Sequence, residues 1–136
     1  MRRLNNWLSR FAALVDTARA RPFEWGAHDC CLWAASAVLS ITGEDPAEAW
    51  RGGYRTERAA MRILRSLGGL TGAGSLCGVA IDVSLATVGD IGLVTWSDGV
   101  QSLAVCAGHT WMCAGSYGLE HLPLDAATAA WGVGRE

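Results

Sequence analysis

Apolar residues recur at three- and four-residue steps through Leu4, Trp7, Leu8, Phe11, Leu14, Val15 and Ala18, the stripe of an amphipathic helix over about residues 3 to 20 that Pro22 ends. The segment from Pro22 to Asp29 reads as a loop. Behind it Cys30 to Ile41 is apolar, Ala-rich and free of Gly and Pro, which predicts a buried helix closed by Gly43. Asp29 is its candidate helix cap, because a carboxylate there accepts a bond from a first-turn amide, and Cys30 becomes the first helical residue. Asp45-Pro46 predicts a further short helical piece running to about Trp50, broken by Gly52-Gly53. Ala60, Ile63, Leu64 and Leu67 predict another helix over 56–67, and the Gly-rich stretch 68–78 reads as a plain connector.

The pattern changes after Gly89-Asp90. Ile91 to Trp96, Val100 to Ala107 and Thr110 to Ala114 are short β-compatible runs divided by Ser97-Asp98-Gly99 and Gly108-His109, which predicts an antiparallel meander. Leu119 to Leu124 is a candidate fourth strand, followed by an Ala-rich segment to Trp131. Helices first and strands second give an α+β fold class.

With 136 residues, 51% of them apolar, the chain has room for one domain spanning 1–136 and enough apolar material for one core. No apolar run reaches the length of a membrane span, and Asn5, Asn6, Ser9, Arg10 and Asp16 interrupt any secretory leader, so neither membrane insertion nor secretion by that route is expected. The net charge of -2 gives no electrostatic bias toward nucleic acid, and Arg2, Arg3, Arg10, Arg19 and Arg21 near the N-terminus read as a solvated face. Five cysteines, two of them adjacent, do not make a disulfide framework and favour a reducing compartment. Without a Cys-x-x-Cys pair no metal site and no cofactor is expected.

A cysteine at the start of a buried helix has a specific chemical meaning. The unpaired amides and the helix dipole stabilise its thiolate, so position alone prepares a nucleophile. The alternative is an inert, buried Cys30. Phe23-Glu24-Trp25-Gly26-Ala27-His28-Asp29-Cys30-Cys31-Leu32-Trp33 resembles the aromatic, Gly, Asp-Cys, apolar-helix signature of NlpC-type peptidoglycan peptidases. Gly89-Asp90-Ile91-Gly92-Leu93-Val94 is similar to the Gly-Asp strand that follows in that superfamily. Together with Arg51-Gly52-Gly53-Tyr54-Arg55-Thr56, the pattern looks closest to small tail proteins of bacteriophages and phage-like particles. The resemblance implies a papain-like core over 22–131, N-terminal helices packed on a small antiparallel sheet, and an amphipathic helix within 1–21 ahead of that core. It also implies Cys30 as nucleophile, and Trp25 and Trp33, which flank it in sequence, as candidate cleft lining.

One departure decides the functional expectation. Active members begin the strand after Gly-Asp with a histidine that serves as base. Here that position falls on Gln101 or Ser102, and the residue that would orient an imidazole falls near Cys113. Neither Gln nor Ser is a base near neutral pH. His109 lies at the far end of the strand, about 20 Å away, His121 belongs to the last strand, and His28 is the candidate for a nonstandard base beside Cys30. The expectation is therefore a structural subunit of a phage or phage-like tail tip or baseplate, catalytically degenerate, located in the virion tail after assembly in the host cytoplasm. Its partners are other tail proteins, met through a surface containing Trp7, Trp50 or Trp131. The alternative is an active cysteine peptidase or amidase that cuts peptidoglycan during genome delivery.

Overall fold

The computed structural model describes residues 1–135. The element order is α1 (Trp7–Ala18), α2 (Cys30–Thr42), α3 (Glu57–Leu67), α4 (Gly69–Ser75), β1 (Val79–Ile81), then β2 (Ile91–Thr95), β3 (Gln101–Cys106), β4 (Thr110–Gly115), β5 (Gly118–Pro123) and β6 (Ala127–Gly132). The fold is α+β, as the order of patterns predicts. The strands form one sheet in the order β1-β6-β2-β3-β4-β5, and every neighbouring pair is antiparallel. Among the described residues no helix is long and apolar enough to cross a membrane.

The main core lies between α2 and one face of the sheet. Trp33, Ala37, Val38 and Ile41 of α2 meet Ile91, Leu93, Leu103, Val105 and Met112, and α1 adds Phe11 and Ala18 to the same cluster. The opposite face carries a smaller cluster of Val94, Ala104, Cys106, Trp111 and Cys113. Alternate residues of β3 therefore serve two apolar layers, which is why the run from Leu103 to Cys106 is uninterrupted rather than alternating. A third cluster of Leu32, Ala35, Ala47, Tyr54 and Ala60 joins the outer side of α2 to α3.

Several expectations are corrected. Helix α1 begins at Trp7 rather than near residue 3, because the preceding segment is held elsewhere: the Leu4 amide donates to Ile41 O at 2.8 Å, and Arg3 donates to Val133 O, Val88 O and the Asp90 carboxylate. Arg3 thus belongs to no solvated face, and its guanidinium also lies 4.3 Å from the Trp7 ring centroid. Leu8, counted on the apolar stripe, is 59% exposed. The piece after Asp45 is a series of turns, since the Asp45 carboxylate bonds to the Ala47 amide and to Arg51 and folds the backbone locally.

The supposed connector contains α4. Glycines weaken a helix, but here they permit contact: a Cβ on Gly74 would lie 2.4 Å from the Trp131 ring. Trp131 is accordingly sealed in the core at 4% exposure and presents no surface to a partner, and Trp7 is only partly exposed. Strands β1 and β6 add to the expected meander. β6 is Ala-rich and poor in β-propensity, yet it pairs with both β1 and β2 in the interior of the sheet, where two strand partners outweigh local preference.

Asp90, at the head of β2, ties these parts together. Its side chain is fully buried and accepts from Arg3 at 3.0 Å, from Arg135, from the Val133 amide at 2.9 Å and from the Thr87 amide at 2.8 Å. The Gly-Asp motif is therefore a structural anchor that draws the two ends of the described chain onto β2.

Candidate functional site

Asp29 builds the site. Its backbone is extended and its Oδ1 accepts from the Leu32 amide at 3.0 Å, which caps α2 and leaves Cys30 as the first helical residue. Its Oδ2 accepts from the Gly26 amide at 3.0 Å and from the Tyr54 hydroxyl. One buried carboxylate thus fixes the loop before the helix, the helix start and the segment containing Tyr54. Gly26 is required at its position: φ is +79° and a Cβ would lie 1.9 Å from the Tyr54 carbonyl oxygen.

Cys30 is partly exposed and sits at the open end of the β3–β4 ladder. That ladder is registered only at Val105↔Met112 and Cys106↔Trp111, and the Leu103 amide, beyond its end, faces the Cys30 sulfur. The Cys31 sulfur is 4.0 Å away. The Cys31 thiol and the Leu103 amide, together with the helix start, hold the Cys30 thiol below its ordinary range against the opposing effects of burial and Asp29. Cys31 shifts the other way, raised by the same contact and by burial. Burial pushes Cys77 up to about 12, and it pushes Cys113 to about 12 despite the opposing Ser102 hydroxyl.

Cys30 lies on the wall of a cleft of about 410 Å3. Helix α3 contributes Met61, Leu64 and Leu67, the β2–β3 hairpin contributes Trp96, Val100 and Ser102, and Phe23, Trp25, Trp50 and Tyr54 complete the aromatic part. Trp25 lines this cleft, packed edge-on against Phe23 with centroids 4.7 Å apart. Trp33 does not: it is 1% exposed, and its Nε1 donates to Met112 O at 2.9 Å, which holds the indole in the core against the sheet. Tyr54, Trp50, Trp96 and the α3 wall are site residues that sequence reasoning missed. The Arg-Gly-Gly-Tyr run was a signal for Tyr54, but its partner Asp29 lies 25 positions earlier.

Both Gln101 and Ser102 line the cleft, and the Ser102 hydroxyl accepts from Trp96 Nε1 at 2.9 Å and meets the Cys113 thiol. No histidine is among the groups acting on the Cys30 thiol. His28 is 4% exposed and packs edge-on against Trp33 at 5.9 Å; its Nε2 is buried without a hydrogen-bond partner. Burial and Arg21 disfavour its protonation. His121 Nδ1 is bonded to Thr110 at 2.6 Å in an exposed contact between β4 and β5, and His109 is exposed in the β3–β4 turn. Among the described residues no group of three His, Cys, Asp or Glu side chains is placed to hold a metal ion.

Two results follow from the thiols. Iodoacetamide at neutral pH should alkylate Cys30 first, with Cys77 and Cys113 reacting only on unfolding; peptide mapping by mass spectrometry reads the order, and equal labelling of the three contradicts the assignment. Stability should fall as pH rises from 9 toward 12, because unfolded Cys77 and Cys113 ionise from an ordinary 9.0 while the folded thiols hold their protons to about 12. Each contributes a slope of about 1.4 kcal/mol per pH unit in that window. The depressed Cys30 acts with the opposite sign, and its contribution is complete by the ordinary thiol pKa. Urea midpoints that stay flat across the window would argue against the two buried thiols.

No curated protein matches the chain. The profile of the family described as Domain of unknown function (DUF6950) matches residues 2–133, so the chain, from the segment ahead of α1 to the end of β6, belongs to that family.

Proposed function

We propose that this chain is a structural subunit of a phage or phage-like tail tip or baseplate, built on a papain-like, NlpC-type fold whose hydrolytic machinery is incomplete. The observation that carries the reading is the environment of Cys30. A prepared thiol faces the start of β3, where the positions that resemble that of the base hold Gln101, on the strand face of Leu103, and Ser102, on the opposite face with Ala104 and Cys113 and held by Trp96. A thiolate without an imidazole can attack a carbonyl, but it lacks the paired histidine that would protonate an amine leaving group and then activate water. Amide hydrolysis needs both.

The tail assignment rests on the resemblance of the Trp25-Gly26…Asp29-Cys30 and Arg51-Gly52-Gly53-Tyr54 segments, which Asp29 brings together through Gly26 and Tyr54. Its partners are then other tail proteins. Mass spectrometry of tail particles purified from the source strain should find the chain in fixed ratio to the other tail proteins, and Cys30→Ala should assemble at the same ratio. A chain that stays in the soluble fraction while complete particles form without it would refute the structural role.

A further inference from the structure

Helix α3 carries its charge unevenly. Arg58, Arg62 and Arg65 follow at four- and three-residue steps, which places them within about 60° of arc on one face of the helix. All three are exposed, and among the described residues none makes a hydrogen bond or an ion pair. Residues 55–65 hold four arginines and one acid, a net +3, so that the rest of a chain of total charge -2 carries -5. The stripe works against its own helix: Arg58 and Arg62 repel across one turn, and Arg58 stands in the first turn, where the helix dipole disfavours a cation. No acid of the described chain offsets this.

The stripe borders the cleft over Cys30. A hollow lined by Thr56, Glu57, Arg58, Met61, Arg62 and Arg65 shares Glu57 and Met61 with the cleft wall, so the two concavities are continuous across the edge of α3. The cleft side is mostly apolar, and its buried polar groups are engaged within the chain, Asp29 with Tyr54 and Ser102 with Trp96. Glu57 and Gln101 stay exposed at its margin and can meet the backbone amides of an occupant. We propose that this surface docks an acidic segment of a partner protein, which seats a large apolar side chain in the cleft and lays carboxylates along Arg58, Arg62 and Arg65. An apolar anchor beside a charged rim is the anatomy of a protein interface, and Arg and Met are enriched there. A nucleic acid fits less well, since it would meet the negative remainder of the chain and leave the apolar cleft unfilled. The proposal concerns the partner's chemistry and does not rest on the tail assignment.

Random peptides of about twelve residues, displayed on yeast, are selected on the immobilised full chain. The sequences that enrich should carry several Asp or Glu and one large apolar residue. Their labelled consensus peptide should bind about tenfold more weakly, or worse, to a variant combining Arg58→Glu and Arg62→Glu, and binding to the parent should weaken as salt is raised. Val100→Asp, at a cleft-lining residue that is 58% exposed, should also cost about tenfold, through the apolar half of the surface. Both variants should keep the urea midpoint of the parent, because the replaced side chains are exposed. Neutral or basic consensus peptides, acidic ones without an apolar anchor, affinity unchanged in either variant, or no enrichment at all would overturn the proposal. A duplex DNA probe that binds more tightly than the consensus peptide and is lost in the arginine variant would overturn it in favour of a nucleic-acid surface. None of these results depends on whether the chain is found in tail particles, so the two readings fail separately.

Discussion

Replacing Asp90 with Ala should cost about 3–5 kcal/mol of folding stability, the range for removing one partner of a buried ion pair. Its carboxylate is fully buried and receives Arg3 and Arg135 together with the amides of Val133 and Thr87, so the substitution removes the counter-charge of two guanidinium groups and the acceptor of two amides at once. Arg135→Met should cost much less, since Arg3 remains and Arg135 is about one-third exposed. Urea denaturation gives both values. A loss below about 1 kcal/mol for Asp90→Ala would mean that Asp90 does not anchor the fold, and would reopen a chemical role for the Gly-Asp motif.

Gly26→Ala should destabilise by about 3 kcal/mol, through a left-handed backbone and a Cβ forced against the Tyr54 carbonyl oxygen. Gly52→Ala separates the two causes. Gly52 has the same φ of +79° with no atom within 4 Å of an added Cβ, so only the conformational cost of about 1 kcal/mol applies. Because Gly26 donates its amide to Asp29, the first substitution should also disturb Cys30 and change its alkylation rate, and the second should not. Equal urea midpoints for the two variants would remove the steric argument for the Trp-Gly step of the motif.

The legible part of the fold is that written in local chemistry. The apolar run behind Asp29 predicts α2 with its cap and its first residue, and the turn signals at Asp98-Gly99 and Gly108 place β2, β3 and β4 within a residue or two. The illegible part depends on partners distant in sequence. β6 looks like an Ala-rich tail because alanine has little intrinsic preference for a strand, and only its place between β1 and β2 makes it one. α4 looks like a linker because Gly72 and Gly74 are read for flexibility, whereas they allow the close approach of Leu67 and Trp131. Arg3 reads as surface charge until Asp90, 87 positions later, receives it.

The candidate site divides in the same way. Cys30 and its cap are visible from Asp-Cys at a helix start, and Trp25 follows from its place in the motif. Trp33 is misplaced by sequence proximity: it lies about one turn further along α2, deep in the core, and its indole is spent on Met112. The cleft wall on α3 and the hairpin residues Trp96 and Val100 carry no chemical signature, so nothing in their spacing announces a common cavity. The Leu103 amide is invisible in principle, because it is backbone freed by the short β3–β4 register.

The central claim, a prepared Cys30 nucleophile without a base, is tested most directly by incubating the purified chain with intact peptidoglycan and with synthetic cross-link peptides, and measuring released stem-peptide fragments by mass spectrometry. The account predicts no release above the Cys30→Ala control, while the same preparation alkylates at Cys30 at neutral pH. Multiple-turnover release that disappears in Cys30→Ala would contradict it and make the chain a cysteine peptidase whose base is neither Gln101 nor Ser102.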